Sequence, residues 1–332
     1  MNDSSPSRDR PLIYAGIDEA GYGPMLGPLC VGLTVFAVTG HDPNRGAPDL
    51  WKRLNRAVCR RRGDRRGRVA VDDSKKLKGV AGARSHPLHH LELGVLAFLA
   101  ASGSITDGDE SYFDRVIGDV PDAPWYLSRT PLPLAVDGGQ MQIAASRLGR
   151  ALASSGVDFL DLRCEAIDAG EFNRLVDLMG KKSAVNLAAA FRQVDSVWQR
   201  WPDAQPRVVV DRQGGRTHYR EELQTAFPGA QIRILAESDI LSRYVLTRDG
   251  SAVTISFLCE AESRHFPVAL ASMVAKYTRE LFMIRLNRYF QNHLPELKPT
   301  AGYVTDARRY LTEIDALVKR LDLPRRRLVR EV

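Results

Sequence analysis

Apolar and polar positions alternate along the chain in blocks that predict strands interleaved with helices. Apolar, β-branched runs predict strands at residues 12–17, 29–38, 159–167 and 208–211. Helical spacing predicts helices at residues 88–101, 184–201, 267–286 and 306–321. The turn Arg248-Asp249-Gly250 lies between two polar–apolar segments and predicts a hairpin. Together these elements predict an α/β fold with a mixed central β-sheet flanked by helices.

Four stretches of different composition divide the chain. Residues 1–10 are polar, without the apolar core of a signal peptide, and predict a disordered tail. Gly, Asp and Pro are frequent at 103–135, which is typical of a surface excursion. We therefore predict one domain over 11–322, with insertions near 40–70 and 103–135 and a basic, solvated C-terminal tail at 323–332.

Composition narrows the class of partner. Hydrophobic residues make up 44% and charged residues 26% of the chain, as in soluble globular proteins. The net charge of +7 favours a polyanion, either nucleic acid or an anionic membrane. No apolar run is long enough to span a bilayer, which favours nucleic acid. The four cysteines have no zinc-site or disulfide spacing, so we expect a cytoplasmic protein. We also expect a monomer.

A cluster of basic residues lies within the first insertion, in a predicted loop or frayed helix end. Its members are Arg60, Arg61, Arg62, Arg65, Arg66 and Arg68. A charge run of this kind is usually a solvated face, and contact with nucleic acid is the alternative.

Carboxylates follow the predicted strands where ligands gather in α/β sheets. Asp18 and Glu19 end the first strand, Asp211 ends another, and Glu262 precedes a long helix. Such acids repel one another unless cations lie between them. Oxygen ligands suit Mg²⁺ or Mn²⁺, and two such ions can activate water and stabilise a leaving phosphodiester oxygen. The alternative is that each acid forms a turn or caps a helix.

Neighbouring side chains on a strand point to opposite faces of the sheet. Asp18 and Glu19 are therefore expected to share one site only if the strand ends between them. The nearby glycines, at positions 16, 21 and 23, permit that turn.

Five blocks of the sequence resemble ribonuclease HII, and they occur in the order found in that family. The blocks are GIDEAGYGP at 16–24 continuing MLGP, DSKKL at 73–77, VVD at 209–211, ESR at 262–264 with ASMVAK at 271–276 and Arg279, and GYVT at 302–305. The resemblance covers about residues 12–311, except for the insertions.

The resemblance implies a ribonuclease H fold and endonucleolytic cleavage of RNA in RNA–DNA hybrids, including ribonucleotides embedded in a DNA duplex. It implies that two divalent ions, Mg²⁺ or Mn²⁺, are held by Asp18, Glu19, Asp211 and Glu262. Cleavage would then leave 5′-phosphate and 3′-hydroxyl ends. The implied substrate contacts are Gly21, Tyr22 and Gly23 at the ribose 2′-hydroxyl, Tyr303 on the adjacent deoxyribose, and Lys75 and Lys276 at phosphates or organising the site.

Three positions depart from the family's pattern. Tyr22 stands where the family has Arg, and therefore offers one hydroxyl in place of several fixed donors. Glu262 replaces Asp and is one methylene longer. Arg212 replaces a small residue, and its expected roles are contact with a substrate phosphate or an ion pair with a nearby acid. Two alternatives follow: a nucleic-acid-binding member with weakened catalysis, or a nuclease of this fold with another substrate preference.

Overall fold

A seven-stranded sheet forms the centre of the computed structural model, which describes residues 10–42, 46–80, 85–104, 106–212 and 214–331. The strands of this sheet are β1 (Leu12–Ala20), β2 (Leu29–Val38), β5 (Val157–Ile167), β6 (Arg207–Asp211), β7 (Gln231–Glu237), β8 (Leu241–Arg248) and β9 (Ser251–Leu258). A separate two-stranded sheet pairs β3 (Val58–Cys59) with β4 (Val69–Ala70).

The helices lie between and after the strands. They are α1 (Leu50–Arg53), α2 (Ser74–Leu77), α3 (His89–Ala101), α4 (Asp109–Val116), α5 (Gly138–Ser155), α6 (Ala169–Met179), α7 (Lys182–Arg200), α8 (Arg220–Ala226), α9 (Phe266–His293), α10 (Val304–Arg320) and α11 (Arg325–Leu328).

The central sheet has the order β5-β2-β1-β6-β9-β8-β7 and mixes both strand directions. The pairs β1–β6 and β6–β9 are parallel, and the other neighbours are antiparallel. One face buries a core with α3, α5 and α9, and the other buries a core with α7 and α8. The predicted α/β fold with a mixed central sheet flanked by helices is therefore confirmed.

Helix α9 lies directly on β1 and β2, and two glycines permit this contact. A Cβ atom at Gly16 would lie 2.2 Å from the Val268 backbone nitrogen, and one at Gly32 would lie 2.3 Å from the Ala271 carbonyl oxygen. Both distances are too short for any side chain. The small residues therefore fix the height of α9 above the strand that carries Asp18.

The predicted strands, the hairpin β8–β9 and the four predicted helices are present, with shifted ends. The sequence pattern did not predict β7 or the helices α4, α5, α6 and α8. The first insertion contains α1, β3 and β4, where a loop or frayed helix end was predicted, and Ala57 and Val58 are buried.

The second insertion packs into the core rather than over the surface. Tyr112, Phe113, Trp125 and Tyr126 are buried, and the Phe113 ring stacks on Phe282 of α9 with centroids 4.5 Å apart. The prediction of a surface excursion was wrong for this part of 103–135.

The two ends of the chain differ in what the structure describes. Residues 1–9 of the predicted tail and residue 332 lie outside the described residues. Arg325, Arg326 and Arg327 are exposed as predicted, but Leu328, Val329 and Arg330 after them are buried. The end of the basic tail therefore packs against the body of the protein. Within the described ranges, no helix is long and apolar enough to cross a membrane.

Candidate active site

One cavity of about 220 Å³ contains all the residues that the sequence singled out for the site. The predicted lining residues are Asp18, Glu19, Gly21, Tyr22, Gly23, Lys75, Asp211, Glu262, Lys276 and Tyr303. The structure thus brings together segments that are as much as 285 positions apart, from Asp18 to Tyr303. It adds Ala20, Pro24, Asp73, Ser74 and Ser272 to the lining.

The parallel pairing of β1 with β6 places two of the acids side by side. Ile17 pairs with Val210, so Asp18 and Asp211 are the next residues on their strands. The carboxyl ends of adjacent parallel strands meet at one edge of the sheet, where α/β proteins bind ligands. Asp211 is the last residue of β6.

Glu19 reaches the same cavity although the strand does not end between it and Asp18. Strand β1 continues to Ala20, so the expectation that the two acids share a site only if the strand ends between them was wrong. Instead, β6 ends at Asp211 and leaves the edge of β1 open beyond this point. Asp18 lies towards Ser272 of α9 and Glu19 towards Asn186 of α7, from opposite faces of the sheet. Because β6 ends before β1, both acids can reach the cavity although β1 is not broken between them.

A tight turn after β9 brings in the fourth acid. The Ala261 amide donates to Oδ1 of Asp211 over 2.8 Å, which fixes the 3₁₀ turn Ala261–Ser263 against the end of β6. Glu262 lies in that turn. Its Oε2 atom is buried and has no hydrogen-bond partner in the described part of the chain. A buried, unpartnered carboxylate oxygen beside three other acids is suited to bind a cation.

Burial and mutual repulsion perturb three of these carboxyls. Burial, and then the charge of Glu19, raises the pKa of Asp18 well above its usual range. Burial, and then Asp211, raises the pKa of Glu19 to about 7, although Asn186 and Lys75 oppose the shift. Burial, and then Asp18, raises the pKa of Asp211 to about 8. The site therefore concentrates negative charge that a bound cation would stabilise.

The donor set fits Mg²⁺ or Mn²⁺, because it consists of carboxylate oxygens without soft ligands. Among the described residues, no group of three or more His, Cys, Asp or Glu already has metal-ligand geometry. A bound ion would take its ligands from the carboxylates of the cavity. Asp18, Glu19, Asp211 and Glu262 are the residues that could hold it.

We expect Mg²⁺ or Mn²⁺ to raise the melting temperature of the protein. A ligand at 100 times its Kd stabilises the folded state by about 2.7 kcal/mol. Differential scanning fluorimetry across a metal titration would measure this shift. The shift should be lost in Glu262→Gln but kept in Glu260→Gln, because Glu260 is an exposed acid of the same turn, outside the cavity. Equal shifts in the two variants would contradict the assignment of Glu262.

The loop after β1 forms one wall of the cavity and is held from beneath. Gly21 has φ +88°, and a Cβ there would lie 2.6 Å from the Arg279 side chain. Arg279 is buried and donates through Nη2 to the carbonyls of Leu26 and Ala301, each over 3.0 Å. The buried Arg330 donates to the carbonyls of Gly21, over 2.5 Å, and Pro24. The loop therefore has a fixed shape, and its backbone amides can serve as donors.

The two tyrosines of the site have different surroundings. Tyr22 is half-buried, and Nζ of Lys182 lies 5.2 Å from the centre of its ring. Tyr303 is 52% exposed, directly before α10, with the Arg279 guanidinium 6.0 Å from its ring centre. Tyr303 is thus available to pack on a sugar, whereas Tyr22 is partly covered.

The two lysines also differ. Lys75 is exposed at the start of α2, where the Asp73 carboxylate caps the helix by accepting from the Lys75 amide over 2.9 Å. Lys276 is buried, and its Nζ lies 2.9 Å from Oε1 of Glu280. Lys75 is therefore the more exposed of the two cations at the cavity.

Arg212 pairs with no nearby acid that the structure describes, although an ion pair was one of the two roles expected for it. Its guanidinium donates to the Asp239 carbonyl, to the Ser238 carbonyl over 2.9 Å and to the Ser242 hydroxyl over 3.2 Å. It therefore braces the turn between β7 and β8, with no carboxylate partner among the described residues.

Several residues of the site had no predicted role in the sequence. Ser272 lies beside Asp18, and Asn186 is a buried amide beside Glu19 with no hydrogen bond from either side-chain polar atom among the described residues. Arg330, near the C-terminus, donates to the Gly21 carbonyl in the loop after β1. The spacing gave no signal for Asn186 or Arg330, because their positions depend on how α7 and the C-terminal segment pack.

Comparisons with known proteins find similarity in structure but not in sequence. No family model matches the chain, and no curated protein matches it. Ribonuclease HII of Archaeoglobus fulgidus, solved in a complex with PCNA, is 15% identical with a TM-score of 0.40, covering 96% of this chain and 94% of that one. Ribonuclease H2 of Pyrococcus horikoshii is 14% identical with a TM-score of 0.40, covering 96% and 92%. Bst-RNase HIII, solved with Mn²⁺, is 14% identical with a TM-score of 0.37, covering 94% and 67%.

Proposed function

We propose that this protein is a metal-dependent endonuclease that cleaves the RNA strand of RNA–DNA hybrids, including ribonucleotides within a DNA duplex. The observation that carries the proposal is the convergence of four acids from three distant segments in one cavity, with the glycine loop and Tyr303 around them. The four carboxylates together supply the oxygen donors that two Mg²⁺ or Mn²⁺ ions would need.

The metal ions, when bound, would supply an activated water and stabilise the departing 3′ oxygen of the phosphodiester. Asp18, Glu19, Asp211 and Glu262 would hold them, and Ser272 would keep Asp18 in place. The products would carry 5′-phosphate and 3′-hydroxyl ends.

The walls of the cavity would select and orient the substrate. Backbone amides of the loop at residues 21–23 would face the ribose 2′-hydroxyl, the group that separates RNA from DNA. Tyr303 is exposed and would pack on the neighbouring deoxyribose. Lys75 and Lys276 line the cavity and would lie near the phosphates.

The proposal is tested by a cleavage assay with purified protein and either Mg²⁺ or Mn²⁺. The substrates are a long RNA–DNA hybrid, a DNA duplex with one ribonucleotide, and an all-DNA duplex of the same sequence. We expect metal-dependent cleavage of the first two and none of the third, with 5′-phosphate ends. Salt-sensitive binding without cleavage under either metal would instead indicate a binding protein with weakened catalysis.

The partly covered Tyr22 favours a second candidate, a nuclease of the same fold with another substrate preference. Its single hydroxyl, in a ring held beside Lys182, gives fewer donors than an arginine would. Under this candidate the long hybrid is cleaved well and the single-ribonucleotide duplex poorly. The ratio of the two rates in the same assay separates the candidates.

A further inference from the structure

The positive charge of the protein is concentrated in one short part of the chain, residues 49–71, named the arginine segment here. The segment contains nine Lys or Arg residues and two Asp residues, a net charge of +7. The whole chain also has a net charge of +7, so the remaining residues balance one another. A polyanion that is attracted by the net positive charge should therefore bind at this segment.

The arginine segment is a built structure rather than a loose run of charges. The Asp64 carboxylate accepts from the Arg66 and Arg68 amides and pairs with the Arg68 guanidinium at 2.7 Å. From α5, Nη1 of Arg147 donates to the carbonyls of Arg66 and Gly67 over 2.6 Å and 2.9 Å. The turn that carries the arginines is thus held by contacts with Asp64 and with Arg147.

Most cations of the segment point to solvent without an acidic partner. Arg56, Arg61, Arg62, Arg65 and Arg66 are all exposed. Within the described chain, none of these five has a carboxylate within ion-pair distance, in contrast to Arg68. Exposed, unpaired guanidinium groups on a braced turn are suited to bind phosphates.

Arg60 joins the segment to the candidate active site. Its guanidinium donates to the carbonyl of Ser263, the residue after Glu262, and lies 3.9 Å from the Asp72 carboxylate. Asp72 immediately precedes the cavity-lining residues Asp73 and Ser74. The six residue steps from Arg60 to Arg66 can span at most about 20 Å, the length of about six base pairs. The arginine segment is therefore close enough to contact a duplex whose cleaved strand occupies the cavity.

The chemistry of the patch favours a duplex over a single strand. Single-strand sites combine positive charge with exposed aromatic rings on which bases stack. The aromatic residue of the segment, Trp51, is half-buried, with the Arg60 guanidinium 4.0 Å from its ring centre and its indole nitrogen bonded to the Val71 carbonyl. The surface thus offers charge without a stacking platform.

We propose that the arginine segment is an accessory surface that binds the phosphate backbone of the double helix flanking the cleavage site. The proposal rests on the proposed nuclease function, since it takes the substrate in the cavity to be a duplex. Contacts to phosphates carry no sequence information, so the surface should bind DNA duplexes and hybrids alike.

The test compares the salt dependence of binding in two quadruple variants. In R61Q/R62Q/R65Q/R66Q, the slope of log Kd against log salt should fall by about 3 to 4, at about 0.9 for each phosphate that the protein no longer neutralises. Between about 50 and 200 mM salt, the wild type should thus lose about 100-fold more affinity than this variant. The control R220Q/R233Q/R320Q/R325Q removes the same charge from exposed arginines of α8, β7, α10 and α11, which have no acidic partner in the described chain, and should keep the wild-type slope.

Binding is measured with an all-DNA duplex in EDTA, and cleavage of a ribonucleotide-bearing duplex is measured separately with metal. If both variants have the same salt-dependence slope and the protein is an active nuclease, the proposed duplex-binding surface is wrong and the nuclease proposal stands. A slope difference in a protein that cleaves no substrate would overturn the nuclease proposal alone. If the arginine variant instead loses binding to phosphatidylglycerol vesicles and keeps its duplex slope, the surface serves a membrane and the proposal is wrong. Melting curves of both variants establish that they are folded.

Discussion

Asp18→Asn is expected to lower kcat/KM for hybrid cleavage by about 1000-fold, or about 4 kcal/mol in transition-state stabilisation. Asp18 lies at the centre of the acid cluster, between Glu19 on its own strand and Asp211 on the next. Asparagine keeps the shape and can still accept from the Glu19 amide, as Asp18 does over 2.7 Å. It removes the charge of a proposed metal ligand. Single-turnover cleavage at saturating metal would measure the loss.

The same substitution should not destabilise the metal-free protein. Burial and the Glu19 charge both disfavour ionised Asp18, so removing its charge relieves repulsion in the folded state. We expect an unchanged or higher melting temperature without metal, and a loss of the metal-dependent shift. Asp158→Asn, at an exposed position of the edge strand β5, should leave cleavage and the metal-dependent shift unchanged. Cleavage by Asp18→Asn at the wild-type rate would refute the assignment.

Local patterns predicted acids at the strand ends, whereas the assignment of all four acids to one metal site was implied by the resemblance of the sequence blocks. Apolar runs that end at Asp211, and near Asp18, mark strand ends even without knowledge of the strand order. Which strands pair is a non-local property, and so the sequence did not reveal that β6 ends short of β1. That difference in length is what lets Glu19 and Asp18 reach one cavity from opposite faces.

Residues that support the site from distant parts of the chain could not be predicted, because they follow no helical or strand periodicity in the sequence. Arg330 contacts Gly21 across 309 positions of the chain, and Asn186 reaches Glu19 from a helix on the other face of the sheet. The basic C-terminal tail seemed solvated because its composition is polar. In the structure, the buried Arg330 supports the loop after β1 by donating to the carbonyls of Gly21 and Pro24.

Residues 103–135 show the opposite error, in which composition concealed a core. Gly, Pro and Asp are frequent there, but the aromatic residues between them are buried against α9. A buried ion pair joins the two parts: Arg285 of α9 binds both carboxylate oxygens of Asp109 over 2.6 and 2.7 Å. Arg285 also donates to the Tyr126 carbonyl over 2.6 Å. The second insertion is thus part of the fold that positions α9.

Arg285→Met should therefore lower the free energy of unfolding by about 3 to 5 kcal/mol, because it leaves the buried Asp109 carboxylate without its partner. At an unfolding entropy of about 2.1 cal/mol/K per residue, the melting temperature of this 332-residue chain should fall by about 4 to 7 °C. Chemical and thermal denaturation would both measure the effect. The double variant Arg285→Met/Asp109→Leu should recover much of the loss, since no unpaired charge then remains buried.

Arg129→Met gives a matched control on the same segment. Arg129 pairs with Glu110 of α4 at 2.6 Å, the same distance as the shorter Arg285–Asp109 contact. Its side chain is 73% exposed, whereas that of Arg285 is 5% exposed. Exposed pairs contribute about 1 kcal/mol or less, so Arg129→Met should hardly change the melting temperature. If the two variants lose similar stability, the anchoring of residues 103–135 does not depend on the buried pair, and the aromatic contacts with α9 would have to provide it alone.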